Sequence, residues 1–346
     1  MLGEATAFFK NLGAARAIIV LFLLFLLVVA YVQGLPVTTL ISNSLTRTGM
    51  NGILVLAMVP SIQAGLGLNF GLPVGIICGL MGLVLAMEWE LGGFTALSVS
   101  LAIGCVLALG AGYLYGYMLN HVKGQEMMVG TYAGFSVVAG MCMFWVMAPL
   151  HNPKLIWVVG GSGLRVTTAL NEAFSRVLDR FIMVKVMGVE VSVSLLGFFA
   201  LACAAVALFG RTPRGVAMRV AGDNPAFATA CGINVDAARM MGAILSTVLG
   251  AVGIVVYAQS FGFVQLYLAP LMMAFPAVAA VLIGGANTRR ATVVHAVIGA
   301  LLFQTLLTIA LPVTQTVIQG DMSEVARMVI SNGMILYALT RGRGES

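Results

Sequence analysis

Apolar residues fall along this chain in long unbroken runs separated by short polar interruptions. Neither the two-residue alternation of a half-buried strand nor the one-sided stripe of a soluble helix describes them. The runs occupy 17–34, 50–68, 71–88, 93–120, 127–149, 191–209, 240–260, 267–285, 291–312 and 323–340. Crossing about 30 Å of hydrocarbon takes roughly 20 apolar residues in a helix, which satisfies its own backbone amides where lipid cannot. The pattern predicts an all-α polytopic membrane protein of about ten transmembrane helices, some of them interrupted, in one membrane domain over 1–346. An even number of crossings puts both termini on one side.

Composition agrees and removes alternatives. Of 346 residues 60% are apolar and only 9% charged, where a soluble surface needs about 25% charged; mean hydropathy is +1.04. The net charge of +6 is spread singly between apolar runs, which points to membrane topology and away from nucleic acid. With the ends inside, the inner segments hold eleven Lys and Arg, including Lys123, Arg211, Arg214, Arg219, Arg239, Arg289 and Arg290. The outer segments hold seven, five of them within 150–190. That bias predicts cytoplasmic termini. The first run, Ala17 to Val32, lacks a convincing cleavage site after it and reads as a retained helix. Of the five cysteines four sit in apolar runs without metal-ligand spacing, so no disulfide framework is expected.

Segment 150–190 combines turn signals, His151-Asn-Pro-Lys154 and Gly160-Gly-Ser-Gly163, with charges at helical spacing, Glu172, Arg176, Asp179 and Arg180. It predicts a short amphipathic helix, Ala169 to Val186, on the outer face, either merely solvated or a platform for an external protein. Reactive chemistry is not legible: the chain has no paired intramembrane carboxylates, no His-x-x-x-His metal pair, no Gly-x-Ser-x-Gly elbow and no Gly-Lys-Ser phosphate loop. No catalytic residue, metal site or directly bound cofactor is therefore predicted. The longest inner segment, about thirty residues, is too short to fold a nucleotide-binding domain, so any energy source belongs to another chain.

That inner segment, 210–240, is the informative one. Thr212-Pro213 makes a sharp exit from a membrane helix, since proline lacks a donor and restricts its predecessor. Asp223 or Asn224 can cap a short helix with Pro225 at its first position, running through Ala226 and Phe227 to Ala230. Gly232 is placed as a left-handed stop, and Asn234 to Asp236 can cap the next membrane helix. The small face of Ala226, Ala228, Thr229 and Ala230 suits a groove on a partner; the alternative is a helix that packs on the membrane surface.

In order and content, Thr212-Pro213, Gly222-Asp-Asn-Pro225, Gly232-Ile-Asn-Val235, Gly250-Ala-Val-Gly253 and Ala279-Ala-Val-Leu-Ile-Gly-Gly285 resemble the permeases of bacterial importers for ribose-like sugars, nucleosides and branched-chain amino acids. The resemblance covers 210–312; after Gly285 the chain continues Ala286-Asn-Thr-Arg-Arg290, where sugar-type members carry Ser and Gly. It implies a permease in the bacterial cytoplasmic membrane, paired with itself or a related permease, fed by an external substrate-binding protein and driven by cytosolic ATP-binding-cassette subunits that hold ATP and Mg. It further implies that Asp223, Asn224, Pro225, Ala226, Phe227 and Gly232 form the coupling helix that sits on the ATPase. The implied cargo is a small polar nutrient: a sugar or nucleoside first, an amino acid second.

Polar groups inside apolar runs mark candidate path residues, because each is costly in lipid unless it faces a cavity or partner. Gln63, Asn69 and Pro73, among Gly65, Gly67, Gly71 and Gly75, break one pair of helices, and Tyr267, Pro270 and Pro276 break a second. Gln63, Asn69, Pro73 and Phe275 are the path candidates; the glycines serve tight helix packing equally well. His295 and Gln304, nine residues apart, share a helix face. The competing functions are an ion-coupled secondary transporter, which would want membrane-embedded acids where every Asp and Glu lies at a span end or in a loop, and a non-transporting scaffold.

Overall fold

A computed structural model describes residues 14–156, 163–170 and 174–317, with the short pieces 328–329 and 332–333. After α1 (Ala14–Val32), α2 (Val37–Leu56) runs almost unbroken into α3 (Met58–Gln63). Then come α4 (Leu72–Glu88), α5 (Gly93–His121) and α6 (Glu126–Met147). Between α6 and α8 (Val193–Phe209) lie a short strand β1 (Thr167–Ala169), a one-turn helix α7 (Val177–Phe181) and a hairpin of β2 (Met183–Val186) and β3 (Val189–Ser192). Two further helices, α9 (Pro213–Asp223) and α10 (Pro225–Ala230), lead into α11 (Val235–Phe261). The second half closes with β4 (Phe263–Gln265), α12 (Ala269–Met272), α13 (Ala274–Ile283) and α14 (Val293–Val317). Strand β4 pairs antiparallel with β1.

The polytopic all-helical architecture stands, but the count does not reach ten. Among the described residues five helices are long and apolar enough to cross a membrane: Val37–Gln63, Gly93–His121, Glu126–Met147, Val235–Phe261 and Val293–Thr314. A sixth appears if α8 and α9, bent by 77°, are one span. The runs 17–34, 71–88 and 267–285 give shorter apolar helices, and 323–340 lies almost wholly outside the described residues. The run expected over 50–68 is shifted, since its helix starts at Val37 and ends at Gln63. The polar residues before Met50 are tolerated because they bond back along the helix: Ser44 to the Leu40 carbonyl, Thr46 to Ser42 and Thr48 to Ser44.

Helix α4 is short because it is enclosed by protein. A side chain at Gly75 would meet the Thr247 carbonyl of α11 at 2.2 Å, one at Gly79 the Ala251 carbonyl at 2.4 Å, and one at Gly82 the Ser100 carbonyl of α5 at 2.3 Å. Backbones approach this closely only where glycine removes the Cβ, the packing that serves helices with no hydrophobic drive between them. Helices α5 and α6 instead turn Val106, Leu114, Tyr132 and Met143 outward.

The amphipathic helix expected over Ala169–Val186 is mostly absent. Among the described residues of that stretch only Val177–Phe181 is helical, and Met187 (φ 50°) and Gly188 (φ 84°), both left-handed, turn the hairpin that follows. The ion pairs fall into two groups by the segments they join. Lys123 pairs with Asp236, Arg239 with Glu126 and Arg290 with Asp223, all from segments assigned inside. His151 approaches Glu88 and Lys185 pairs with Glu190, all from segments assigned outside. No ion pair among the described residues joins an inner group to an outer one.

Candidate functional site

The segment 212–236 is built from capping chemistry. Thr212 Oγ1 accepts the Gly215 amide at 3.2 Å and starts α9, which Pro213 opens. Asn224, rather than Asp223, caps α10: its Oδ1 accepts the Phe227 amide at 3.0 Å, with Pro225 in the first turn. Gly232 stops α10 at φ +77°, and Asn234 Oδ1 accepts the Ala237 amide at 3.0 Å to begin α11. Each cap satisfies an orphan amide and is worth about 1 kcal/mol, so a six-residue helix holds a fixed shape between two longer ones. The small-residue face is divided. Ala228 is fully buried against Ala221 and Ala238, while Phe227 is 57% exposed at the tip. Asp223 to Phe227 and Gly232 all face outward.

The inner end of α9 abuts the first helix break. A Cβ on Gly222 would fall 2.2 Å from the Gln63 carbonyl and 2.7 Å from the Gly65 amide nitrogen. Gly65 is itself left-handed (φ +75°), so two glycine backbones touch. Gln63 Nε2 donates to the Ala291 carbonyl at 2.8 Å, and Asp223 lies 3.7 Å from Arg290, which brings in the turn between α13 and α14. Asn287 closes that turn by accepting the Arg289 and Arg290 amides. Nearby, Arg239 is nearly buried, pairs with Glu126 at 2.5 Å and donates to Asn120 at 3.1 Å, tying the start of α11 to α5 and α6.

Asn69 sits in the break and is buried. Its Oδ1 accepts the Gly71 amide at 2.9 Å and the Tyr115 hydroxyl at 2.8 Å; its Nδ2 donates to Ser246 Oγ at 2.8 Å. Ser246 in turn donates to the Ala57 carbonyl at 2.7 Å, at the joint of α2 and α3. This chain of bonds fastens the break to α5, α11 and α2.

Two cavities open along α2, α11 and α14. The deeper, about 380 Å³, is lined by Asn51, Leu54, Tyr257, Gln265, Pro276 and Gln304 among others. The other, about 500 Å³, is lined by Asn43, Arg47, Arg176, Ser260, Thr308 and Leu311 among others. Their lining residues continue at helical spacing, 43, 47, 51, 54 on α2, 304, 308, 311 on α14 and 257, 260, 261 on α11. Each helix therefore gives one face to both cavities, which stack into a single cleft.

Gln63, Asn69 and Pro73 line neither cavity; Gln63 Nε2 and both side-chain polar atoms of Asn69 are engaged by the protein at the helix break. Phe275 lines neither and packs on Phe70 with centroids 5.7 Å apart, although Pro276 beside it lines the deeper cavity. Arg47, Asn51 and Arg176 were not among the candidates. Arg47 and Asn51 had a signal, the period 43, 47, 51, 54, hidden by starting the second helix at residue 50.

Comparison with known proteins adds a family and one relative. The family described as branched-chain amino acid transport system / permease component matches residues 40–339. A nucleoside ABC transporter permease protein, NupC of Lactococcus lactis subsp. cremoris (strain MG1363), is 45% identical over 69 residues. That stretch is 19% of this chain and 22% of the relative. The chain thus aligns with about a fifth of that protein's length. No solved structure gives a significant match.

Proposed function

The chain belongs to the family of branched-chain amino acid transport system permease components, and from that premise we propose that it is the membrane-spanning subunit of an ATP-binding-cassette importer for a small polar nutrient. In this reading α10 seats on a cytosolic ATPase that supplies the ATP and Mg chemistry. An external binding protein delivers cargo to the opposite face, and a second permease, identical or related, completes the path. The membrane is the bacterial cytoplasmic one and both termini face the cytoplasm.

One observation carries the proposal: a rigidly capped helix presents a 57% exposed phenylalanine, Phe227, and is joined by glycine-to-glycine backbone contact to a helix break. An exposed aromatic on a fixed scaffold is the anchor a partner pocket recognises. The contact behind it lets a push on α10 reach the membrane helices, so nucleotide-driven movement of the ATPase would bias a two-state gate through differential contacts. Gln63, Asn69 and Pro73 then act where the gate is levered, and the cleft along α2, α11 and α14 carries cargo.

The test is purification from native membranes followed by reconstitution. ATPase subunits should co-purify with the wild type, and Phe227→Asp should release them while expression persists. Uptake should follow internal ATP and survive an uncoupler. Uptake abolished by an uncoupler with ATP intact overturns the proposal in favour of ion coupling, and a wild-type complex with no nucleotide-hydrolysing subunit overturns it outright.

A further inference from the structure

The cleft carries two guanidinium groups that form no ion pair with the described residues. Arg47 lies ten residues into α2, about 15 Å along its axis from Val37, inside the stretch long enough to cross the membrane. Arg176 reaches the same 500 Å³ cavity from the turn before α7. Among the described residues neither side chain makes an ion pair or hydrogen bond. The Asp179 carboxylate feels the charge of Arg176 but accepts the Ser260 hydroxyl at 2.8 Å. Arginine stays charged at any accessible pH, so an unpaired one at membrane depth is costly unless it faces water or a ligand. Arg176 also holds a left-handed backbone (φ 55°), fixed by its amide donating to the Gln259 carbonyl at 2.7 Å.

We propose that Arg47 and Arg176 form an oxyanion site in the upper cleft, so that the cargo is a small solute bearing a carboxylate or phosphate group. The inference rests on the transport reading above and narrows its substrate class. Each planar fork can hold an oxyanion through two parallel hydrogen bonds. Asn43 lines the same cavity, and so do Thr46 and Thr308, whose hydroxyls donate to the Ser42 and Gln304 carbonyls and can still accept from a polar solute. The volume is that of a small-molecule site rather than of a protein side chain. One helical turn deeper, Asn51 donates to the Arg47 carbonyl at 3.0 Å and lines the next cavity with Gln304, so a solute leaving the arginines meets neutral amides next.

The assembled transporter is placed in nanodiscs at low salt, and its unfolding midpoint is followed with leucine, uridine monophosphate or uridine at equal concentrations. The first, the second or both should raise the midpoint; uridine should not. Leucine, a zwitterion, presents a carboxylate and uridine monophosphate a phosphate, so the two arms separate these oxyanions. Arg47→Gln combined with Arg176→Asn should abolish the shift and weaken affinity at least tenfold while the ligand-free midpoint holds, since neither guanidinium is bonded to protein. Asparagine is chosen because it tolerates the left-handed backbone. If the double variant misfolds, Arg47→Lys gives the same answer through a smaller loss, since it keeps the charge and removes the fork. A shift with uridine equal to that with the anions, no shift with either anion, or a shift that survives the double variant overturns the site. The Phe227→Asp release assay on the same preparations reports on the transport reading separately, so its success beside a failed anion assay sinks only the oxyanion site.

Discussion

Replacing Gly222 with alanine tests the lever directly. The added Cβ would stand 2.2 Å from the Gln63 carbonyl oxygen, 2.7 Å from the Gly65 nitrogen and 3.0 Å from the Ala64 carbonyl carbon. Carbon-to-oxygen contacts settle near about 3.3 Å, so α9 must withdraw by roughly 1 Å from the end of α3. All three obstructing atoms are backbone, and none can rotate aside. Overpacking of this kind costs about 1–3 kcal/mol. If that cost falls on the conformation in which α9 touches α3, the gating equilibrium moves by about tenfold for each 1.4 kcal/mol. The assay is paired: ATP hydrolysis and substrate uptake by the reconstituted complex, and its unfolding midpoint. Hydrolysis should continue while uptake per ATP falls at least fivefold. Gly197→Ala in α8 is the control, since a Cβ there meets nothing within 4 Å and alanine favours helix. Uptake per ATP and a midpoint both unchanged in Gly222→Ala would refute transmission through this contact.

Two further outcomes follow from the structure. Asn69→Ala strips partners from the buried Tyr115 hydroxyl and Ser246, and with unsatisfied groups costing about 1–3 kcal/mol each the midpoint should fall by several degrees; Asn69→Asp, which keeps the acceptor, should retain the Tyr115 bond and lose less uptake than alanine. Burial holds the Asp179 carboxyl above its ordinary value of 3.8 against the opposing Ser260 bond and Arg176 charge, so the folded state binds a proton that the unfolded state has released. Stability from this group is therefore present below 3.8 and is lost as pH rises through the raised folded value; Asp179→Asn should flatten the midpoint-against-pH curve just above 3.8, and an unchanged slope would refute the assignment.

What could be read from the chain depended on whether local chemistry decided the outcome. The caps at Asn224 and Asn234 and the stop at Gly232 were legible because a cap is settled within four residues; Thr212 read only as a helix exit, and its cap on α9 did not show. The start of α2 was not, because Ser44, Thr46, Arg47 and Thr48 look like a loop until the three hydroxyls find carbonyls four residues back and the arginine finds a cavity. The helix expected over Ala169–Val186 failed for the opposite reason. Arg176, Asp179 and Arg180 fit a helical period, but Val184, Val186, Val189 and Val191 alternate about Met187-Gly188, and hairpin pairing prevailed over charge spacing. Gln63 and Asn69 stood out as polar residues at a break and were read as path-lining; only tertiary structure shows that Gln63 is half-buried, that Asn69 is buried, and that both bond to protein and line neither cavity.

Helix α2–α3 joins the two halves of the mechanism. Its outer part carries Arg47 and Asn51 on the cleft wall, and its inner end places the Gln63 carbonyl against Gly222, sixteen residues or about 24 Å away along the axis. Between them the helix is weakened at one point. Pro60 has no amide to give the Leu56 carbonyl, and the Ala57 carbonyl accepts Ser246 Oγ from α11. Motion imposed at Gln63 thus has a hinge at which to turn, and the hinge is held by the same serine that bonds Asn69. Movement of α9 acts on that joint from below, and a solute on Arg47 acts on it from above. Ser246→Ala should loosen both links together. It should lower uptake per ATP and weaken anion binding in one variant, whereas Gly222→Ala should lower uptake per ATP and leave binding in the upper cleft intact. Identical effects of the two variants on anion affinity would show that the joint at Ala57 does not separate the lever from the cleft.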